Sequence, residues 1–188
     1  MAHEHSVVPH GVTHPPAIPQ FKTIPLTQGK VAIVDEHNYA WLNQFKWYAE
    51  NHNGRWYAAR KVRLSNGKWF TQYMHREIMG VTDPAVEIDH IALGSESGLD
   101  NRESNIRIAT PSQNACNAGL RKHNTSGFKG VMWHKRAGKW SARIAANKKS
   151  IWLGLFNTAI EAAAIWNWAA RRLHGVFAYQ NDLSQEVA

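Results

Sequence analysis

The sequence predicts an α+β protein made of short antiparallel strands and a few helices, and three observations lead to this prediction. Strand-like stretches rich in Trp, Tyr and Val alternate with Asn-Gly steps, which favour two-residue hairpin turns. A strand, loop, strand and helix pattern occupies residues 87–117, and three further strands and a helix follow it. We therefore expect the chain to be divided into a tail (1–24), a first unit (25–120), a linker (121–125), a second unit (126–183) and a short C-terminal tail (184–188).

Composition limits the class of protein. Of the 188 residues, 44% are hydrophobic and 11% aromatic, which is typical of a folded chain. Because no apolar run reaches the length of a membrane span and no signal peptide pattern is present, we expect a cytoplasmic protein without a membrane partner. The single cysteine, Cys116, excludes an internal disulfide and a cysteine-rich zinc site.

The net charge of +8 is confined to one end of the chain. Residues 1–120 contain 11 basic and 11 acidic side chains, whereas residues 121–188 contain 11 basic and 3 acidic ones. Such confinement predicts a polyanion, and double-stranded DNA in particular, as the partner of the C-terminal third. A merely soluble basic surface explains the charge but not its position.

The first 24 residues contain four histidines among four prolines, at His3, His5, Pro9, His10, His14, Pro15, Pro16 and Pro19. Prolines keep a segment extended, and the histidine spacing fixes no ligand geometry. We expect a flexible tail; the alternative is that its histidines bind a transition metal.

A β-meander is predicted between Ile24 and Gln72, with a short helix within residues 35–45. Hairpin turns at Asn53-Gly54 and Asn66-Gly67 separate its last three strands. Its Trp and Tyr side chains are expected to form the core, and the alternative is that some of them stack on bases. A short helix over residues 74–79 follows.

Residues 87–117 contain the candidate chemistry. A short apolar strand ends in Asp89 and His90, and a helix begins after Thr110, which forms a capping box with Gln113. The topology brings Asp89 and His90 close to Asn114 on the first turn of that helix. A carboxylate and an amide oxygen suit Mg²⁺, and a neutral imidazole is suited to take a proton from water. Each residue alone has an ordinary structural explanation, as a surface pair or a helix cap, but the combination favours an active site.

These residues resemble the HNH nuclease motif, in the variant of phage and homing endonucleases that ends in Asn rather than His. The resemblance rests on Asp89-His90, Leu99-Asp100-Asn101-Arg102, Asn105 and Asn114. It implies a ββα-metal fold in which Asp89 and Asn114 bind one divalent ion, Mg²⁺ or Mn²⁺. It further implies that His90 is the general base and that Asn105 ties the loop together. His75-Arg76 matches a His-Arg pair that often precedes this motif, and we expect a structural or phosphate-facing role for it.

The last third predicts strands over residues 128–134, 139–146 and 150–156. A helix then begins with a second capping box, Thr158 and Glu161, and ends at Gly175. Small side chains on this helix would let it pack closely against the sheet: Ala162, Ala163, Ala169 and Ala170. The preceding linker carries Arg121 and Lys122, which are suited to phosphate contacts.

Residues 126–182 resemble the plant ethylene-response-factor type of DNA-binding domain. The resemblance rests on Phe128-Lys-Gly-Val, Gly138-Lys-Trp, Trp152-Leu-Gly-Leu-Phe and Glu161-Ala-Ala-Ala. It implies that a three-stranded antiparallel sheet with one packed helix enters the major groove. The DNA-contacting residues that it implies are Lys129, His134, Arg136, Arg143 and Trp152, with Lys148 and Lys149 near another such position. Packing inside the domain is the alternative for Trp152 and is favoured for Trp140.

Together these patterns predict a metal-dependent DNA endonuclease of homing or phage type, acting in bacterial or phage-infected host cytosol. The alternative is a non-catalytic DNA-binding regulator that retains a degenerate nuclease scaffold. The presence of Asp89, His90, Asn105 and Asn114 favours the enzyme.

Overall fold

The computed structural model describes residues 20–184, and their arrangement confirms the predicted α+β class. The strands within this range are β1 (Phe21–Pro25), β2 (Val31–Asp35), β3 (Tyr48–His52), β4 (Arg55–Arg63), β5 (Trp69–Tyr73), β6 (Glu87–His90), β7 (Ile106–Ala109), β8 (Val131–His134), β9 (Lys139–Ala146) and β10 (Lys149–Phe156). The α-helices are α1 (Glu36–Leu42), α2 (Met74–Ile78), α3 (Pro111–Asn117) and α4 (Ala159–His174). Neighbouring strands within each sheet are antiparallel, and these strands form four small sheets.

The hairpin of β1 and β2 begins within the stretch that the sequence assigns to the N-terminal tail. Ile24 pairs with Ala32 across this hairpin, and both side chains are buried. Only Phe21 and Ile24 are large apolar residues in β1, at the end of a proline-rich stretch, and this weak strand signal explains the difference. The rest of the predicted tail, and residues 185–188 of the C-terminal one, lie outside the described residues.

The meander consists of β3, β4 and β5, in that order. Asn53 and Gly54 join β3 to β4 with φ angles of 52° and 89°, the left-handed conformation that such a two-residue turn requires. One face of the sheet packs on the first hairpin and on α1 and α2. The buried side chains of this core are Ile24, Ala32, Val34, Leu42, Trp47, Ala58 and Met74.

A hairpin of β6 and β7 followed by α3 forms the strand–strand–helix pattern predicted for residues 87–117. Asp89 lies opposite Arg107 in this hairpin, and His90 lies opposite Ile106. The capping box at the start of α3 is present: the Gln113 amide N–H donates to Thr110 Oγ1 at 3.2 Å, and Gln113 Oε1 accepts from the Thr110 N–H at 2.8 Å.

The C-terminal sheet has the order β10-β9-β8, and α4 packs across it. The four alanines predicted to face the sheet are buried. The second capping box is also present, between Thr158 and Glu161. Gly130 is essential to this packing, because a Cβ atom there would lie 2.0 Å from Nε1 of Trp166. That nitrogen donates instead to the Arg143 carbonyl at 2.9 Å.

Two cationic side chains connect the C-terminal sheet and helix to the β6–β7–α3 segment. Arg107 donates to the carbonyl of Val176 at 2.7 Å and stacks on the Phe177 ring at 3.9 Å. Lys129 donates to the carbonyls of Cys116 and Ala118 at the end of α3. Among the described residues, no helix has the length and apolar character needed to cross a membrane.

Candidate active site

Asp89 and His90 stand at the end of β6 and are almost fully enclosed, each with 2% of its surface exposed. Charged and imidazole groups are rarely buried without partners, since burial removes their hydration. The surrounding side chains therefore determine what these two groups can do.

The Asp89 carboxylate is held by two neighbours. Arg107 donates to its Oδ2 atom from Nη2 at 2.6 Å and from Nε at 2.9 Å. Asn117 donates to its Oδ1 atom at 3.0 Å and to the His90 carbonyl at 2.9 Å. A carboxylate has about four lone-pair directions. One direction on Oδ1 therefore remains available to a further ligand.

The sequence predicts that Asn114 lies close to Asp89, but the two side chains form no hydrogen bond with each other. Its Nδ2 atom donates to Glu87 Oε2 at 2.8 Å. Residues three apart lie on the same face of a helix, so Asn114 is level with the start of β6 and Asn117 with its end. The amide oxygen of Asn114 accepts no hydrogen bond from the described residues, and this leaves it available as a ligand.

His90 lies among polar and aromatic groups. Its Nε2 atom is 3.4 Å from Oδ1 of Asn101, a fully buried residue whose Nδ2 donates to the Leu99 carbonyl. Because that second bond fixes the amide, Oδ1 faces His90, and the His90 Nε2 must carry the proton. Burial lowers the pKa of His90, and the Asn101 hydrogen bond opposes this effect. The site therefore favours a neutral imidazole whose Nδ1 atom carries a lone pair.

His75 packs edge-on against His90, with ring centroids 5.0 Å apart. It also stacks on Tyr73 at 5.6 Å, and its Nδ1 atom is buried without a hydrogen-bond partner. Burial lowers the pKa of His75 to about 3. Arg76, its neighbour, donates to the carbonyls of Asp83 and Val86. In this structure the His-Arg pair thus makes structural contacts.

Asn105 joins the two ends of the loop that follows β6. Its Oδ1 atom accepts from the Ala92 N–H at 2.9 Å, and its Nδ2 atom donates to the Asp100 carbonyl at 2.7 Å. Its own carbonyl accepts from the Ile91 N–H at 2.8 Å. The side chain therefore holds the backbone just after His90 against the segment that carries Asn101.

A second group of potential metal ligands, Asp35, His37 and Glu103, lies on the surface. Its ligand atoms fall within 4.8 Å of one another. His37 Nε2 is 2.8 Å from Glu103 Oε1, and Asp35 accepts from the Glu103 N–H at 2.8 Å. These residues are far apart in sequence and gave no sequence signal. Their existing contacts explain the cluster as a link between β2, α1 and the loop.

The exposed side of the β8–β9–β10 sheet carries part of the predicted DNA-contacting set. Arg143 lies directly opposite Trp152, and its guanidinium stands 4.8 Å from the Trp152 ring centroid. Trp152 is 45% exposed, so packing inside the domain does not account for it. The remaining exposed or half-exposed members of the predicted set are Arg121, Lys122, His134, Arg136, Lys148 and Lys149.

Lys129 differs from the other predicted DNA contacts. Its ammonium group donates to carbonyls at the end of α3, and burial lowers its pKa. Cations at a helix C-terminus satisfy carbonyls that have no partner within the helix. The structure therefore uses Lys129 to fasten α3 to the C-terminal unit, and its ammonium is not free for a phosphate.

Sequence reasoning missed Arg107, Asn117 and Tyr57 as members of the site, and it gave no role to Asn101 although that residue lies in the motif. The hairpin register could have identified Arg107, because this residue lies directly opposite Asp89. Asn117 follows from helical spacing, because it is one turn beyond Asn114. Tyr57, whose ring lies 5.9 Å from that of His90, comes from a distant strand and carries no local signal.

The fold and site define an α+β chain in which a strand–strand–helix segment encloses an Asp-His pair and a three-stranded sheet follows it. No family model matches the chain. It is 34% identical over 92 residues to Protein 3.8 of Escherichia phage T7, covering 48% of this chain and 72% of that protein. The chain belongs to the family of that phage protein.

Two further relatives match different lengths of the chain. An uncharacterized HNH endonuclease, L560, of Acanthamoeba polyphaga mimivirus is 28% identical over 161 residues, covering 83% of this chain and 77% of that protein. The AP2/ERF and B3 domain-containing transcription repressor TEM1 of Arabidopsis thaliana is 36% identical over 78 residues. That match covers 42% of this chain but only 21% of the plant protein. The composite resemblance expected from the sequence is thus supported in part.

Proposed function

We propose that this protein is a metal-dependent DNA endonuclease that hydrolyses phosphodiester bonds, with its C-terminal unit bound to duplex DNA. The observation that carries this proposal is the enclosed Asp89-His90 pair, with asparagine amides from α3 hydrogen-bonded to Asp89 and Glu87. The name of the mimivirus relative supports nuclease activity, and the name of the plant relative supports DNA binding. We further propose that the protein acts in the cytoplasm, in bacterial or phage-infected host cells.

The chemistry of these donor groups suits a hard divalent cation. Asp89 and Asn114 would bind it, as Oδ1 of Asp89 and the amide oxygen of Asn114 both retain free lone pairs. Oxygen ligands of this kind suit Mg²⁺ or Mn²⁺. When bound, such an ion would neutralise charge on the phosphodiester.

The chain's own groups supply the proton transfer and the alignment. His90 accepts the proton of the attacking water at Nδ1, since Asn101 holds the other ring nitrogen in its protonated form. Asn105 and Asn101 fix the loop that follows His90 and so hold the imidazole in one orientation. Tyr57 and His75 pack around the ring, and its burial favours the neutral form.

The second candidate function is a non-catalytic DNA-binding regulator, and one observation favours it. Arg107 makes two hydrogen bonds to Oδ2 of Asp89, and this pairing reduces the negative charge offered to a cation. In that case the Asp89–Arg107 pair would serve only to hold the β6–β7 hairpin against the C-terminal unit.

Incubation with supercoiled plasmid separates the two functions. We expect relaxation or linearisation in Mg²⁺ or Mn²⁺ and none in EDTA. Protein that binds the plasmid but leaves it supercoiled with every divalent metal would establish the regulator instead.

A further inference from the structure

The β3–β4–β5 sheet has a second face that points away from its core. Ala58 of β4 is buried in the core with Leu42 and Met74. Side chains alternate between the two faces of a strand, so the odd-numbered residues of β4 point the other way. Among them Ala59 is fully buried, whereas Lys61 and Arg63 are exposed. Residues directly opposite them in the register share that face. We call this surface the outer face and define it by Arg55, Lys61, Arg63, Trp69, Tyr57 and Tyr73.

The outer face carries cations that the fold does not neutralise. Within residues 20–184, Arg55, Lys61 and Arg63 have no carboxylate within ion-pair distance. Arg60 on the core-facing side, in contrast, is paired with Glu77 at 2.7 Å. Glu50 of β3 also lies on this face, and its Oε2 atom is 3.2 Å from Nε2 of His52. Structural pairing thus explains the charge on one side of β4 and not on the other.

An exposed aromatic side chain stands beside these cations. Trp69 lies directly opposite Arg63 in the register and is 66% exposed. A large apolar ring left this open contributes little to the core. Aromatic faces beside arginine are the surfaces on which nucleic acid bases and sugars stack.

The outer face leads to His90. Tyr57 lies on it and contacts His90 with ring centroids 5.9 Å apart. Arg55 is also near enough for its charge to lower the pKa of His90, although burial is the larger cause. From Tyr57 to Arg63 the strand spans six residues, about 20 Å at the usual rise of about 3.3 Å per residue. This length corresponds to about six base pairs along the axis of a duplex.

We propose that the outer face of the β3–β4–β5 sheet is a second docking surface for duplex DNA, which holds the backbone beside the phosphodiester that faces His90. The inference rests on the proposed nuclease function for its alignment with His90, but not for DNA binding itself. Arg63 and Lys61 contact phosphates, and Trp69 packs against a sugar or an unstacked base. The neutral net charge of residues 1–120 conceals this surface, because five of the acids in that range form ion pairs with Lys22, Lys30, Arg60, Arg102 and Arg107, away from it.

The test uses the full chain and a labelled DNA duplex, with affinity measured over a range of salt concentrations. Arg63→Gln is expected to reduce the slope of log affinity against log salt by about 0.9, the value of one phosphate contact. Arg63→Lys keeps the charge and should retain the slope. Lys22→Gln, which removes an equal charge from β1 where Lys22 pairs with Glu36, should also leave the slope unchanged.

The aromatic contact has its own matched pair. Trp69→Ala is expected to weaken DNA binding by about tenfold, within the range of single stacking contacts. Phe70→Ala should have no such effect, although Phe70 is 47% exposed and adjacent, because it lies on the opposite face. Unchanged melting temperatures show that each variant remains folded.

The outcomes separate this inference from the proposed function. If the wild type cuts plasmid but neither Arg63→Gln nor Trp69→Ala alters DNA binding, the docking surface is wrong and the nuclease stands. If both variants lose affinity as expected and the wild type never cuts, the surface stands and the nuclease is wrong. Tighter binding of an RNA duplex than of the DNA duplex would overturn the choice of partner.

Discussion

His90 illustrates how burial keeps an imidazole neutral. The ring is enclosed by Tyr57, His75 and Asn101, and this environment disfavours its charged form. An imidazole in water is half protonated near its ordinary pKa of 6.5. The enclosure therefore supplies a free base at a pH where an exposed histidine would be partly blocked.

The pH dependence of cleavage follows from this lowered pKa. In the proposed mechanism the neutral form of His90 is the active one, so we expect full activity at neutral pH and loss of activity as the pH falls below 6.5 through the lowered pKa. The rate of plasmid cleavage at saturating DNA, measured between pH 4.5 and pH 8 in about half-unit steps, gives the midpoint. A midpoint above 6.5 would contradict the assignment of His90 as a buried neutral base.

His75 makes a separate prediction about stability. Its pKa is about 3 in the folded protein, so in mild acid the unfolded chain binds a proton at this residue and the folded chain does not. Its contribution is complete above pH 6.5 and is lost as the pH falls, at up to about 1.4 kcal/mol per pH unit. We expect His75→Phe to flatten the decline in the free energy of unfolding between pH 6.5 and pH 4, as measured by urea denaturation.

A matched histidine controls for general effects of acid. His123 is exposed in the segment after α3, so His123→Phe should keep the pH dependence of the wild type. Equal slopes for His75→Phe and His123→Phe would show that the buried imidazole does not govern acid stability.

At the scale of single elements, α4 depends on its first turn. Thr158 Oγ1 accepts from the Glu161 N–H at 3.1 Å, and Glu161 Oε2 accepts from the Thr158 N–H at 3.3 Å. These bonds satisfy donors that have no partner inside the helix.

Removal of this cap has a defined cost. Thr158→Ala is expected to lower the free energy of unfolding by about 1 kcal/mol. Thr158→Ser should keep most of the wild-type stability, because serine also caps a helix. Urea denaturation measures both variants. A Thr158→Ala variant as stable as wild type would show that packing of α4 alone positions its first turn.

The elements that could be predicted from the sequence are those with local signals. Both capping boxes involve residues three apart, and the Asn53-Gly54 turn is two residues long, so short windows of sequence contain the full cause. The two-residue turn predicted at Asn66-Gly67 is wrong, because β4 and β5 are joined by the longer segment 64–68. The hairpin β1–β2 was missed at its first strand, which depends on pairing with β2 rather than on its own pattern. Strands of this kind are determined by their neighbours.

The candidate site was predictable in its residue types but not in its pairings. Asp89, His90, Asn105 and Asn114 were identified from sequence, and the structure places them around one strand–strand–helix segment. Arg107, the partner of Asp89, was not identified from the sequence. It is 18 residues away from Asp89 and reaches it only through the register of the hairpin. His75 and Tyr57 come from other elements altogether, and only tertiary packing brings them to His90.

In the whole molecule, the β6–β7–α3 segment and the C-terminal unit are in contact beside the candidate site. Arg107 binds both Asp89 and the Val176 carbonyl, so the group that holds the Asp89 carboxylate also contacts the segment after α4. Lys129 fastens the end of α3 to the same unit. The net charge of +8 lies entirely in residues 121–188, where a DNA-binding role is proposed.

DNA affinity should therefore depend on some C-terminal cations and not on others. Changing Arg136, Arg143 and Lys149 together to Gln is expected to reduce the salt slope of duplex binding by about 2 to 3, since each phosphate contact contributes about 0.9. Lys129→Met should leave the slope unchanged, because that ammonium already binds helix carbonyls. The reverse pattern would show that another face of the C-terminal unit meets the DNA.

The central claim is that His90 acts as the base of a metal-dependent nuclease. Its most direct test is the rate of plasmid cleavage by the wild type and by His90→Ala in Mg²⁺, at DNA concentrations that saturate both proteins. We predict that His90→Ala binds DNA as the wild type does but cuts about 10²- to 10⁴-fold more slowly, and that added Mg²⁺ or Mn²⁺ does not restore the rate. Cleavage at the wild-type rate with alanine at position 90 would contradict the account.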